Sequence, residues 1–311
     1  MPNTLKNYAI IQKFKILLSR VPFNMSDHCA HLRHLLTTQQ ILVAPGVYDG
    51  LSARLVEQAG FSVIYASGGA IARSAGFPDI GLLSFSEIYD RLKHITENVN
   101  LPVIADADTG YGNVLNVRRT VQLLEKLGLA GLHLEDQQEP KRCGHLDNKK
   151  LISEKEMVQK IRAAVLARKN PNFLLIARTD AIAVEGFESA LQRAHAYAAA
   201  GADMVFVEAP QTIEQIERIG KEIKTLKLIN MFVGGKTPLV PLAQLQAWGY
   251  QLVIIPSDLQ RAAIHAMQKS LLAIKAEGDS HTLLTAMASF QDREALINTQ
   301  SYFDFDHQCD L

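Results

Sequence analysis

Apolar residues fall in short runs along this chain, each closed by glycine, proline or a polar group. The runs "ILVAPGVYDG", "SVIYASGG", "PVIADADTG", "GLHLEDQ", "FLLIARTDA", "MVFVEAP", "LINMFVGG" and "QLVIIPSD" are near-continuous rather than alternating. That length and bounding predict eight strands buried on both faces. Between most of them lie segments with helical spacing: "SARLVEQAG", "NVRRTVQLLEKLG", "EKEMVQKIRAAVLARK", "FESALQRAHAYAAAG" and "TIEQIERIGKEI".

Gly60, Gly128 and Gly201 close three of these helices as C-caps, and a strand follows each within a few residues. Such units are crossovers between parallel strands. Eight of them predict an α/β fold, a closed (β/α)8 TIM barrel over residues 25–275, preceded by an extension at 1–24 and followed by a helix and polar tail at 276–311. An open doubly wound sheet is the alternative at this point.

In a barrel the strand C-termini and the loops after them carry the chemistry. The groups delivered there are Tyr48, Asp49, Ser67 to Gly69, Asp106, Asp108, Glu135, Asp136, Arg178, Asp180, Glu208, Asn230, Ser257 and Asp258. Strands that simply end where polar loops begin would explain scattered Ser and Asn. They explain less well an acid or arginine at one strand end after another.

Composition narrows the partners. The chain has 311 residues, 48% hydrophobic, with Lys+Arg and Asp+Glu both at 32. Zero formal charge recruits neither nucleic acid nor an anionic membrane, and no apolar run is long enough to span a bilayer. A small-molecule partner is expected. Three well-separated cysteines, Cys29, Cys143 and Cys309, argue against a disulfide framework or structural zinc and for a reducing cytoplasm. The opening segment carries lysines and an arginine without an acid and lacks a clear signal-peptide core, so it reads as an extension, with Met25 able to serve as a start.

Period two puts Asp106 and Asp108 on one side of a strand, where two carboxylates call for a cation. With Glu135 and Asp136 from the next strand end, and Asp79 in "GFPDIG", the all-oxygen set suits Mg2+. The competing reading has Asp106 capping a turn and Asp108 paired with an arginine. Cys143 stands between Lys141, Arg142 and Gly144-His145, and cations beside a thiol favour the thiolate. Those flanks make it an acid/base or nucleophile candidate rather than a small core residue, and His145 either a proton-transfer partner or a loop solubiliser. Arg178 can hold a carboxylate bidentately, or form a structural salt bridge with Glu208. Cys29 and Cys309 are incidental, and Trp248 is helix-end packing.

The ordered set "YASGG", "GFPDIG", "DADTGYGN", "LHLEDQ", "KRCGH", "ARTDA", "VEAP" and "GGKTP", over residues 38–275, resembles the isocitrate lyase and phosphoenolpyruvate mutase superfamily. Within it, "KRCGH" is similar to the lyase signature that carries the active cysteine. The resemblance implies a carbon-carbon lyase acting on a 2-hydroxy di- or tricarboxylate, of the 2-methylisocitrate or 2,3-dimethylmalate kind, with oxaloacetate decarboxylase or phosphonate mutase activity as alternatives. It implies Mg2+, replaceable by Mn2+, held by Asp106 and Asp108 with Asp79 and Glu135 around it. Ser67, Gly68, Gly69, Gly144, Asn230 and Arg261 would bind substrate, and Arg178, Glu208, His145 and Cys143 would act in catalysis, Cys143 as proton donor on a closing loop. Arg293 is a looser match to a further substrate arginine. Met231 and Phe232 stand where methylisocitrate lyases carry polar contacts, and are expected to narrow the pocket. A homotetramer with exchanged terminal helices is the assembly the resemblance implies.

Overall fold

A computed structural model describes residues 27–38 and 40–309. The extension expected at 1–24 lies outside them. Eight strands, β1 Leu42–Val47, β2 Ile64–Ala66, β3 Val103–Asp106, β4 Gly131–Glu135, β5 Leu174–Thr179, β6 Met204–Val207, β7 Leu226–Asn230 and β8 Leu252–Ile255, are all parallel and close in order, β8 pairing with β1. The barrel prevails over the open sheet.

The helices form where the pattern predicts them. In α5, Val114–Lys126, Val117, Val121 and Leu124 face the sheet while the Asn113 side chain accepts from Leu115 N–H at 2.9 Å. Gly60, Gly128 and Gly201 all have positive φ directly after helices, as C-caps require. Trp248 caps the helix Leu242–Ala247 and packs at the edge of the core.

Alternation along the strands sets two environments. Residues such as Ala105, Leu132, Leu175 and Ala177 point outward into the helix layer. Ile104, Ile176, Phe206, Leu228 and Ile254 point inward and share a cluster with Leu32, Leu35 and Leu36 of α1, Asp27–Thr38. These leucines close the N-terminal end of the barrel, and Arg33 fixes α1 there by donating to Asn172 O and pairing with Asp203 at 2.9 Å. Counting two residues on from the inward apolar positions gives Asp106, Arg178, Glu208 and Asn230, so the upper interior layer is polar where the lower one is sealed.

After β8 come α10 (Asp258–Glu277), a 3-10 turn at His281–Ala286, α11 (Phe290–Ile297) and α12 (Thr299–Cys309). Among the described residues no helix is long and apolar enough to cross a membrane.

Candidate active site

The polar layer opens into a cavity of about 340 Å³ lined from β2, β3, β5, β6, β7, β8, α10 and the loop after β4. That loop, residues 137–151, is hinged at its base by Gln137 pairing with Leu151 and folds over the barrel mouth. Cys143 N–H donates to Asp79 O at 3.1 Å. Gly144 then packs so tightly that a Cβ would lie 2.2 Å from Glu208 Oε1. His145 follows, with Nε2 3.2 Å from Glu208 Oε1 and its ring edge-on to Phe232 at 4.6 Å. Ser67, Gly69, Asp79, Asp106, Cys143, Gly144, His145, Arg178, Glu208, Asn230 and Arg261 all line one cavity. Gly68 and Gly69 back against Asp106 and Asp79, where a Cβ would come within 2.8 and 2.6 Å of a carboxylate oxygen.

Arg178 is the hub. It binds Asp180 through Nε at 2.9 Å and Nη2 at 3.0 Å, stands 3.3 Å from Glu135 and 3.8 Å from Glu208, and lies over the Phe206 ring. The structural salt bridge and the carboxylate clamp are therefore not exclusive: Asp180 holds one edge of the guanidinium and Glu208 is a looser neighbour.

The all-oxygen cluster is short of positive charge. Asp79, Asp106, Asp108, Glu135, Asp180 and Glu208 stand among Lys141, Lys149, Arg178 and, beside Asp79, Arg73: six carboxylates for four cations. Neither oxygen of buried Glu135 accepts a hydrogen bond. Burial, with Asp180 and Asp108 nearby, holds its carboxyl well above the usual range despite Arg178 and Lys141. Burial likewise raises Asp108, against the pull of Lys141. A donor set of this kind fits a hard divalent cation.

Three expectations are corrected. Asp108 does not continue the strand beside Asp106: β3 ends at Asp106, the chain turns with φ 44° at Asp108, and Asp108 N–H donates to Asp106 Oδ1 at 3.0 Å. The Cys143 thiol is not activated by its flanking cations. Lys141 turns away to Asp79 and, at 2.7 Å, to Asp108, while Arg142 is exposed. Burial and the nearby Asp79 and Glu208 carboxylates push the thiol up to about 11, so it keeps its proton. Met231, one residue past inward-facing Asn230, faces outward and packs with Val240, leaving Phe232 alone to shape the pocket.

Other sequence candidates serve elsewhere. Asp49 caps α2, Gly50–Gln58, accepting from Ser52 N–H at 2.7 Å. Asp136 points outward to Tyr197, Thr179 and Arg193. Arg293 is exposed on α11, paired with Glu294.

The sequence missed several walls of the site. Lys141 and Lys149 are buried, although loop lysines normally read as solvated. Arg73 donates to Gln260 Oε1 at 3.0 Å across the cavity rim. Beneath Asp106, the Tyr65 hydroxyl lies 2.8 Å from His133 Nε2 and 3.4 Å from Asp106 Oδ2. Burial and nearby Arg178 hold His133 down to about 3, so the imidazole is neutral. Period two from Glu135 was the available signal for His133.

Known proteins match this chain over most of its length. The family described as phosphoenolpyruvate phosphomutase matches residues 32–275. The chain is 41% identical to 2,3-dimethylmalate lyase of Eubacterium barkeri, over 89% of this chain and 96% of that one. It is 43% identical to 2-methylisocitrate lyase of Aeropyrum pernix, over 87% of each. Among solved structures, 2,3-dimethylmalate lyase superposes with TM-score 0.86 at 33% identity, covering 93% of this chain and 96% of that one. Sharing the profile, the barrel and the sequence of proteins named as lyases, the chain belongs to the phosphoenolpyruvate phosphomutase family, within the superfamily that includes isocitrate lyase.

Proposed function

We propose that the protein is a carbon-carbon lyase that cleaves the C2–C3 bond of a 2-hydroxy di- or tricarboxylate, 2-methylisocitrate first, giving pyruvate and succinate. The observation that carries this reading is the folded loop: it sets a protonated thiol, Cys143, on the wall of the cavity that Asp106 and Arg178 also line.

In this reading Arg178 holds the carboxylate of the 2-oxo acid portion, with Glu208, Asn230 and Ser67–Gly69, the N-cap and first two residues of the helix Gly68–Ser74, fixing its orientation. The C2 hydroxyl proton passes to the Glu208 carboxylate in the same cavity, and the electrons left on oxygen form the new carbonyl while the C2–C3 pair leaves with the second fragment. That fragment, an enediolate-like carboxylate, takes the proton of Cys143 Sγ at C3. A thiol held up to about 11 suits donation rather than attack. Arg261, at the rim, meets the departing acid. Asp106 and Asp108, with Asp79 and Glu135 around them, would hold Mg2+ or Mn2+, which supplies a Lewis acid for the substrate's hydroxyl and carboxylate.

One observation favours a second substrate. On the side after β7 and β8 the cavity is lined by Phe232, Pro256 and Ile264, with Arg261 and Arg73 as the cations. Its apolar share suits a fragment that carries methyl groups, as in 2,3-dimethylmalate cleaved to propionate and pyruvate.

Parallel assays with Mg2+ and each substrate, reading pyruvate and identifying the second acid, decide between them. Pyruvate from neither would sink the lyase reading and direct attention to oxaloacetate and phosphonopyruvate.

Assembly belongs to the same proposal. Leu271 and Leu272 of α10, Phe290 of α11, and Phe303 and Phe305 of α12 are exposed apolar groups. A second copy exchanging these helices, and a tetramer built from such pairs, would cover them; light scattering giving a monomer at micromolar concentration would refute it.

A further inference from the structure

We infer that Lys149 is a positioning residue for the reaction: it ties the Gly144 carbonyl, and with it the Cys143 loop, to Asp180, the carboxylate that also aims Arg178. The inference rests on the reading of Cys143 as the proton donor.

Lys149 stands at the far root of the loop, after the exposed stretch Leu146–Asn148, yet its side chain is 1% exposed. Its ammonium donates to Gly144 O, and to Asp180 Oδ1 at 3.1 Å. The same Asp180 oxygen accepts from Arg178 Nη2 at 3.0 Å, while Asp180 Oδ2 accepts from Arg178 Nε at 2.9 Å. One carboxylate thus serves two cations, one on the loop and one on the barrel. Asp180 is itself fixed from behind, its N–H donating to Asp136 Oδ1 at 2.9 Å.

A buried ammonium is costly unless its donors are used. With Gly144 in place Lys149 has two acceptors; if the loop lifts, the buried ammonium keeps one, while Gly144 O passes to water. Closure is therefore favoured by a bond independent of any substrate contact. Because Gly144 directly follows Cys143, a bond to its carbonyl fixes the Gly144–His145 peptide plane, one residue on from the thiol. Lys141 makes the corresponding attachment before Cys143, to Asp79 and Asp108, but those carboxylates belong to the proposed cation site. Lys149 is the tether that acts whether or not a cation is bound.

The test uses the full chain carrying Lys149→Met, and Lys149→Gln as a second variant that keeps a neutral donor should the first fold poorly. Iodoacetamide labelling of Cys143 is followed by peptide mass, which separates it from buried Cys29 and exposed Cys309. Losing a hydrogen bond from a charged donor should raise the Cys143 labelling rate about tenfold to a hundredfold. On the proposed substrate, kcat should fall by a similar factor while KM changes much less. A variant that melts earlier yet labels Cys143 at the wild-type rate would overturn the inference and leave Lys149 a structural residue. If instead Cys143→Ser retained full turnover, the reading of Cys143 as proton donor would fail while the labelling result still judged the tether.

Discussion

Gly144 and Glu208 touch so closely that a methyl group on the glycine would lie 2.2 Å from Glu208 Oε1, and 2.5 Å from Arg178 Nη2. Neither neighbour can yield, because both are buried and held by further ion pairs. Gly144→Ala should therefore lift the loop rather than disturb the barrel. We expect kcat/KM to fall about a hundredfold with the melting temperature nearly unchanged, since displacement of about 1 Å at a reacting group costs that much. Wild-type kinetics in this variant would mean the loop does not work in this closed position.

Cys143→Ser removes a small, partly buried thiol and replaces it with a hydroxyl that is a far weaker acid. Turnover should drop by about two to four orders of magnitude, the usual worth of a positioned acid. Circular dichroism should report the same fold. Pyruvate release at an undiminished rate would point to a different donor.

Asp180 gives the protein a defined acid sensitivity. Burial raises its carboxyl, but Arg178 and Lys149 outweigh this and bring it to about 2, against about 3.9 in an unfolded chain. A depressed acid stabilises fully above its unfolded value and loses that contribution as pH falls through the folded one. The stability advantage of the wild type over Asp180→Asn should thus be constant above about pH 4 and shrink between about pH 4 and pH 2. Urea unfolding across that range measures it; a difference independent of pH would refute the assignment.

Removing divalent cations should abolish turnover, and returning Mg2+ should restore it. A readout without catalysis is thermal melting: at about a hundredfold excess over Kd the cation should add roughly 2.7 kcal/mol of stability. Asp106→Asn should lose this gain. An unchanged melting curve in EDTA and in Mg2+ would argue against the carboxylate cluster as a cation site.

Asp136 should matter for stability out of proportion to its distance from the cavity. It accepts from Thr179 Oγ1 and the Tyr197 hydroxyl at 2.7 Å each, from Asp180 N–H at 2.9 Å and from Arg193 at 3.3 Å. Asp136→Ala strands these donors in the helix layer and should cost about 3–5 kcal/mol, measured by denaturant unfolding with unchanged m. A loss below about 1 kcal/mol would place it among surface-like pairs.

The barrel was legible because its strands are buried on both faces, which leaves near-continuous apolar runs separated by helical spacing. The inward polar layer was legible too, since Asp106, Glu135, Arg178 and Asn230 sit at or near the ends of their strands. What failed was local chemistry inferred from chain neighbours. Lys141 is two residues from Cys143, yet its ammonium goes to Asp79 and Asp108, and the thiol stands near the Asp79 and Glu208 carboxylates, brought from other parts of the chain. Asp108 broke the strand periodicity because its backbone turns to positive φ, which aspartate tolerates and a sequence pattern does not register. Lys149 was hidden for a related reason: its burial is decided by where a loop closes.

The α1 leucines that seal the lower end of the barrel also bear on how this scaffold can change. Leu32, Leu35 and Leu36 close the apolar interior at one end, whereas Phe232, Ile264 and Arg261 stand at the other, on segments that follow β7 and β8. Folding and substrate choice thus draw on separate sets of residues. Mutations at the mouth can therefore be made with little cost to the core that seals the opposite end.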